Sequence, residues 1–586
     1  MEQRRKIVSD RERRHIRAGN AKLLVLVAGL ALAWICLWRH AAPAWWLLLP
    51  LGLLFALAIW HELILREQAR AKAAAAFYER GIKRIEDRWT GMGETGERFR
   101  DAKHVYADDL DLFGHGGLFQ FLSIARTPMG EERLARWLLT ASEVETLRER
   151  HGLVAELREK LDLREQMAVL GESLRGELNP ESLAAWSEEE GDRLFGRAWL
   201  RWVTAGLAAA AVAGIVYWVM HDAIAPFLGV LVIESAVLVW RRRRAEGVIE
   251  NVGANAEGLI LFSRVLRRIE EEEFTSARLQ ELHKTLGGGG SPASNEIRRL
   301  AHITMWVDGR DGLAAKLAEL PLLYTVQVAC AAEAWRRQCG KRVRACIDAA
   351  GEMEALLSLA GYAYEHPADP FPEFTRGPGA ALFEGEELGH PLIPAARCVR
   401  NSVRLGAATR VLLVSGSNMS GKSTLLRTVG VNAVLAMAGA PVRARSLRMT
   451  PLAIGTRIRS VDSLQEARSG FYTEILRIRD VFALAEGQAS LLYLFDELLE
   501  GTNSHDRVVG AEGLLRALLE CGAIGIVTTH DLALTEITPR LDGAVLNAHF
   551  EDQIEHDQMR FDYRLKEGVV TKSNALELMR RIGLKV

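Results

Sequence analysis

The sequence predicts an all-α helical core followed by a C-terminal α/β domain, with two transmembrane helical hairpins set into the helical part. Three observations predict it. Four uncharged or nearly uncharged apolar runs fall in two close pairs, apolar residues between them recur at three- and four-residue steps, and short apolar strands alternate with helices after about residue 380. The chain has 586 residues, room for about four domains at ~150 residues each. Lys+Arg is 74 and Asp+Glu is 75, a net charge of −1. That excludes a globally basic nucleic-acid binder and leaves local basic patches open. Apolar residues at 49% and charged residues at 25% exclude wholesale disorder, and a mean hydropathy of +0.02 points to segments in lipid. Six cysteines (Cys36, Cys330, Cys339, Cys346, Cys398, Cys521) are scattered without CxxC or zinc spacing, so neither a disulfide framework nor a zinc site is indicated.

Residues 1–65 read as a basic N-terminal tail and the first hairpin. Leu23–Trp38 and Ala44–Trp60 are sixteen and seventeen residues without a charge. At ~1.5 Å per residue each covers ~25 Å of a ~30 Å hydrocarbon core, so the flanks at 18–22 and 61–65 complete the spans. Trp34, Trp38, Trp45, Trp46 and Trp60 gather near the run ends, where amphipathic rings favour the headgroup level. Residues 1–22 hold eight Lys/Arg, against Arg39 alone in the tight loop. The positive-inside rule therefore puts the N-terminus and everything after residue 65 in the cytoplasm, with the chain multi-pass in the cell (inner) membrane. The long basic head and the lack of a small-residue cleavage site argue against a signal peptide. The basic tail could also touch DNA or anionic lipid.

Residues 66–200 read as a soluble helical segment, with Leu134, Trp137, Leu138, Val144, Leu147, Val154 and Leu157 at helical steps and Thr127-Pro128 opening a new helix. Residues 201–241 hold the second hairpin, Trp202–Met220 and Ala223–Trp240 joined by His221-Asp222 and closed by Arg241–Arg244. A buried hairpin of a soluble domain is the competing reading. Glu234 lies inside the last run, where an acid is either functional or an interhelical hydrogen-bonding group. Residues 242–366 are again helical, broken at Gly287–Gly290 and Ser291-Pro292, and the Pro-rich stretch 367–378 reads as a linker into the last domain, 367–586.

In that domain Val411–Val414 reads as a buried strand, followed by Gly416, Ser417, Asn418, Met419, Ser420, Gly421, Lys422 and Ser423, then an apolar helix from Thr424. This is GxxxxGKS between strand and helix. The glycines let backbone N–H groups curl around phosphate oxygens, Lys422 supplies a charge to the β/γ-phosphates, and the Ser423 hydroxyl suits Mg²⁺. Leu491–Phe495 is a second apolar strand ending in Asp496-Glu497, 496 − 422 = 74 residues after Lys422. Asp496 is placed to enter the Mg²⁺ shell, and Glu497 to orient and deprotonate an attacking water. Ile524–Thr528 is a further strand, and His530 at its end is positioned to sense a γ-phosphate. The implied ligands are ATP and Mg²⁺.

The P-loop region resembles that of the MutS family. Gly416–Ser423 with Thr424-Leu425-Leu426-Arg427 is similar to the family's "GPNMGGKST(Y/F)LR", with Ser417 for proline and Ser420 for glycine. Ala438–Ala444 resembles "(I/A)G(S/C)(F/Y)VPA", and Arg457–Asp462 followed by Ser469–Glu474 resembles "TRIGASD…GRSTFMVEM". Asp496-Glu497 with Gly501–Ser504 and Asp506 looks like "DE(I/L)GRGTST.D", and Thr528–Asp531 matches the "ATH" switch. Upstream, Leu112-Phe113 through Thr127–Gly130 and Trp137-Leu138 resembles the start of the family's helical core, and His390-Pro391-Leu392 its "HP" segment. The resemblance covers roughly 100–195 and 245–586. It implies an ABC/MutS-type ATPase domain, a homodimeric sandwich of two ATP molecules with Ser469 reaching the partner's nucleotide, and DNA as a partner. The departures are equally specific. The first hairpin occupies the place of the mismatch-reading domain, the second interrupts the core where a DNA-gripping clamp is expected, and the chain stops soon after Asn574–Leu578, without the family's helical dimerisation extension or a nuclease-like module.

Three functions remain open on the sequence. The first is a membrane-anchored MutS-like ATPase coupled to DNA binding of low specificity, with mismatch recognition not carried over. The second is an ATP-gated membrane scaffold without a nucleic-acid role. The third is an ABC-type transporter, which four spans and the lack of an LSGGQ-like run before Asp496 disfavour.

Overall fold

A computed structural model describes the chain except residues 40–42, 193–194, 251–254, 288–289, 309–318, 376–379, 418, 459–469, 488–489, 542, 556–557 and 571–586. It divides into two units that do not follow chain order. The first comprises Met1–Glu86, Leu161–Glu272 and Leu286–Cys346, and the second Asp87–Lys160, Glu273–Thr285 and Ile347–Val586.

The first unit is helical. Helix Glu2–Ala33 continues through a π-helical turn, Trp34–Trp38, and the chain returns as helix Leu48–Ile85. The basic N-terminal segment is therefore not a loose tail but the first turns of the hairpin. Its Lys, Arg and Glu residues are good helix formers; Arg4 bridges Glu165 at 2.6 Å, and Arg11 pairs with Glu67. Gly29 lets the two arms close, since a Cβ there would lie 3.2 Å from Cβ of Pro50. The second hairpin is Ala198–His221 and Ala225–Glu250, turned by Asp222 with φ 55°. Gly214 packs on the backbone of Phe227, where an added Cβ would stand 3.0 Å from its Cα. Phe195, Leu200 and Ala245 at the hairpin's base form a core with Leu323, Val326 and Ala329.

Among the described residues, three helices are long and apolar enough to cross a membrane: Glu2–Trp38, Trp45–Ile85 and Trp199–His221. Only 6%, 6% and 22% of their apolar windows are buried within the chain. The fourth expected span, Ala223–Trp240, is not among them. Its helix begins at Ala225 and meets Arg241 after sixteen residues, one of them Glu234. At ~1.5 Å per residue that is ~24 Å, as long as the runs of the first hairpin; what sets this helix apart is Glu234 inside the run and Arg241–Arg244 directly after it.

The second unit holds two sheets, built from β1 (Glu373–Phe374), β2 (Phe383–Leu388), β3 (Asn401–Leu405), β4 (Val411–Ser415), β5 (Ser446–Met449), β6 (Leu452–Arg457), β7 (Ser490–Phe495), β8 (Ile524–Thr529), β9 (Val545–Glu555) and β10 (Gln558–Glu567). The smaller sheet runs β1-β5-β2-β3 and the larger β10-β9-β4-β8-β7-β6. β1 lies inside the stretch expected as a linker; Phe374 pairs with Met449, so the segment is part of a sheet edge. In the larger sheet every pairing is parallel except β10 on β9. Parallel strands covered on both faces read as unbroken apolar runs, and all residues of β4 and β8 are buried. Such sheets present ligand sites beyond their carboxyl ends, where β4, β7 and β8 deliver the loops described below.

The segment 105–112 docks on this sheet. The Asp109 carboxylate accepts from Thr456 Oγ1 at 2.7 Å and from the Ile458 N–H at 3.1 Å. Thr127 caps helix Pro128–Leu139, its hydroxyl oxygen accepting from the Gly130 N–H at 3.2 Å, as the Thr-Pro signal predicts.

Candidate nucleotide-binding site

β4 ends at Ser415, and the chain turns at Gly416 (φ 155°) and Gly421 (φ 106°) into helix Lys422–Ala438. Both glycines are needed. A Cβ at Gly416 would stand 2.9 Å from Ser420 Oγ, and one at Gly421 would stand 3.1 Å from the Tyr563 ring. The helix opens toward the loop with unpaired N–H groups and a positive dipole end. Lys422 is buried, and its Nζ donates to the carbonyls of Gly416 at 2.8 Å and Ser417 at 3.0 Å. Burial lowers its ammonium below the ordinary value, while Glu497 and Asp496 oppose the shift.

Ser417 Oγ and Ser420 Oγ are buried without a hydrogen-bond partner among the described residues. Orphaned hydroxyls beside a helix N-terminus and a lysine fit an anionic phosphate. Ser423 and Thr424, exposed in the first turn, line the same cavity of about 910 Å³. It runs from the P-loop, past Asp496, Glu497 and Tyr563, to the segment around His390 and Val399. Burial, with Arg427 nearby, lowers the His390 imidazole to about 4.

Asp496 and Glu497 follow β7 directly. Asp496 is buried, and its Oδ1 accepts from the Thr528 hydroxyl of β8. Glu497 adopts φ 50°, a left-handed conformation that L side chains rarely take. Its N–H donates to Thr528 Oγ1 at 3.1 Å, which fixes that turn. Burial raises the Glu497 carboxyl above its ordinary value, the adjacent Glu500 adds to this, and His530 and Lys422 oppose it. His530 Nδ1 stands 3.7 Å from Glu497 Oε1. Glu497, Glu500 and His530 offer ligand atoms within 4.8 Å of one another. Ser423, with Asp496 across the cavity, supplies an oxygen set suited to Mg²⁺.

Of the residues singled out in the sequence, Ser417, Met419, Gly421, Lys422, Ser423, Thr424, Asp496 and Glu497 therefore meet around one cavity, with His530 beside Glu497; Gly416 and Ser420 belong to the same loop, Gly416 through its carbonyl on Lys422 and Ser420 beside Gly416. Asn418 and Ser469 lie outside the described residues. Two arginines brace this site: Arg457, which opens the stretch resembling "TRIGASD" but had no role assigned from sequence, and Arg507, which no sequence signal singled out. Arg457 donates to the carbonyls of Asp496 at 2.6 Å and Glu497 at 3.3 Å, and bridges Glu474 at 3.3 Å. Arg507 donates to the carbonyls of Leu499, Glu500 and Thr502 and bridges Asp531 at 3.2 Å. Together they pin the loop after the two acids to the strand ends.

This fold and site have the strand–loop–helix form of a P-loop domain. Residues 412–585 match the family described as MutS domain V. Over 196 residues the chain is 38% identical to "Endonuclease MutS2" of Thermus thermophilus, covering 33% of this chain and 25% of that protein. It is 34% identical over 254 residues to "Endonuclease MutS2" of Thermomicrobium roseum (41% and 31%), and 31% identical over 246 residues to "DNA mismatch repair protein MSH3" of Phaeosphaeria nodorum (41% and 21%). These matches show that the C-terminal part of the chain is similar to MutS domain V and to the corresponding parts of these proteins. The chain spans about a quarter of the length of these relatives.

Proposed function

We propose that the chain is a membrane-anchored MutS-like ATPase of the DNA-repair type, which hydrolyses Mg-ATP in a sandwich of two copies and couples the cycle to DNA binding. The observation that carries this reading is the meeting of Lys422, Asp496 and Glu497 on one cavity at the ends of parallel strands, inside the segment that matches MutS domain V. The P-loop N–H groups and Lys422 bind the β/γ-phosphates, Lys422 exchanging its two loop carbonyls for phosphate oxygens. Ser423 and Asp496 would hold Mg²⁺, which when bound neutralises charge developing on the phosphate oxygens. Glu497 takes a proton from water as the water oxygen attacks the γ-phosphorus; the bond to the bridging oxygen breaks, leaving ADP and phosphate. Its raised proton affinity suits a base working near neutral pH. His530, beside Glu497, orients on the γ-phosphate, and Ser469 reaches the nucleotide of a second copy.

Membrane insertion is supported by the largely unburied apolar helices and by the eight Lys/Arg in residues 1–22, which favour a cytoplasmic ATPase domain in the inner membrane. The net charge of −1 favours a second reading, an ATP-gated membrane scaffold without nucleic acid.

The test uses the full chain in detergent. Mg-ATP turnover should fall by about 10²–10⁴-fold in Glu497→Gln with nucleotide binding retained, and wild-type turnover in that variant sinks the assignment. Retention of duplex, mismatched and branched DNA across a salt series, with and without ATP, separates the readings. A salt-dependent slope supports phosphate contacts, and no retention under any condition leaves the scaffold.

A further inference from the structure

The first unit contains an open groove of about 520 Å³ where helices Ala198–His221, Ala293–Asp308 and Tyr324–Glu365 meet. Ala205 and Ala208 line one side, Ile303 and Trp306 another, and the exposed His302 is part of the lining. Two alanines where larger apolar residues would fill the space leave the groove open.

Its depth selects an occupant. Ala205 and Ala208 belong to the span-length helix Trp199–His221. They lie three and six residues beyond Trp202, which is 78% exposed, so at ~1.5 Å per residue the groove begins ~5–9 Å inside that ring. On the returning helix Trp240 is also exposed, and the Arg241 guanidinium stacks over it at 3.3 Å. Exposed Trp beside Arg marks headgroup depth on the basic, cytoplasmic side. The groove therefore opens among the upper acyl segments of the inner leaflet.

Charge narrows the choice further. Arg201 is exposed and sits one turn before Ala205 on the same helix face. Its charge is felt at the Cys330 thiol, adjacent in sequence to Ala331 of the groove lining. Arg201 therefore puts a positive charge near an apolar groove whose lining includes His302.

We propose that this groove holds an acyl chain of an anionic inner-leaflet phospholipid, with the phosphate against Arg201 and His302. The inference rests on the membrane reading above.

The full chain is reconstituted in phosphatidylcholine–phosphatidylglycerol vesicles carrying phosphatidylglycerol with a diazirine in one acyl chain, irradiated, and the labelled peptides mapped. Label is expected on helix Ala293–Asp308 as well as on Leu23–Trp38, with Ser504–Glu520 as background. Ala205→Trp fills the groove from an exposed position. It should lower the label on Ala293–Asp308 about tenfold, the factor corresponding to ~1.4 kcal/mol of lost contact, and leave Leu23–Trp38 unchanged. Arg201→Glu should abolish the preference for this probe over its phosphatidylcholine counterpart. Background label on Ala293–Asp308, or label indifferent to Ala205→Trp, overturns the groove assignment. A preference that survives Arg201→Glu overturns the anionic headgroup. No label on Leu23–Trp38 either would refute insertion itself, and the groove with it.

Discussion

The hairpins and the nucleotide-binding unit are both built on long apolar runs, and they treat those runs in opposite ways. In the nucleotide-binding unit every residue of β4 and β8 is buried. In the hairpins Leu24 is 70% exposed, Leu30 64%, Phe55 69% and Val219 79%. A strand must find neighbours for its backbone, and in finding them it covers its side chains. A helix satisfies its backbone alone, so its side chains are free to meet another solvent. Contiguous apolar surface on this scale is foreign to a water-exposed protein, and on the proposed membrane reading the contrast teaches that one kind of composition serves two media, separated by which element carries it.

The same substitution placed in each region tests that contrast. Leu413→Arg, in the middle of β4 and 1% exposed, would bury an unpaired charge. It should cost more than about 4 kcal/mol and abolish nucleotide binding through loss of the fold, measured by the yield of folded full chain in detergent and by nucleotide retention. Leu30→Arg, in the middle of the first run, should oppose insertion by about 2.5–3.5 kcal/mol, read as the fraction resisting alkaline extraction from membranes. On a water-facing helix the same change would stay within about 0.5 kcal/mol. Unchanged extraction with better solubility would break the comparison on the hairpin side.

Legibility from sequence follows the same division. The apolar runs, the P-loop and the acids after β7 could be read because each signal is local: a run, a loop between strand and helix, a strand end. The Thr-Pro helix start is of the same kind. The partners that hold the site in place are not local. Asp109 meets Thr456 across 347 residues, and Arg150 donates to the carbonyl of Ala438 at the end of the P-loop helix across 288. Arg457 and Arg507 act through backbone carbonyls, which have no sequence identity to read. β1 escaped because two residues in a Pro-rich stretch carry no period. In the fourth apolar run the apolarity was visible, whereas the position at which its helix begins depends on the Asp222 turn.

A buried acid sharpens the comparison on the nucleotide-binding side. Glu354 is enclosed and accepts from the Thr127 N–H at 3.3 Å and from its hydroxyl. Burial raises its carboxyl to about 7; the Thr127 hydrogen bonds oppose this and Glu131 adds to it. The folded state therefore favours the protonated form. The stability this contributes is fully present below the ordinary value of 4.5 and is lost as pH rises through about 7. The thermal midpoint should fall across that window by the equivalent of at most about 3 kcal/mol. Glu354→Gln, neutral throughout, should flatten the profile; an unaltered profile would show that this carboxyl does not govern it.

Glu234 is the place where a hairpin most resembles a protein core. It is fully buried, as is Ala211 on the preceding helix, and neither carboxylate oxygen has a hydrogen-bond partner among the described residues. The nucleotide-binding unit has comparable orphans in Ser417 and Ser420, but those line the P-loop, where a phosphate can satisfy them. Glu234 is fully buried on the returning helix of the second hairpin. An unsatisfied polar group in such a setting costs about 1–3 kcal/mol, so Glu234→Leu should raise stability in detergent by about 1 kcal/mol and leave ATP turnover unchanged. The measurement is the thermal midpoint of the full chain beside its ATPase rate. A loss of stability would mean that the carboxyl has a partner in the membrane, and a loss of turnover would join the hairpin to the chemistry.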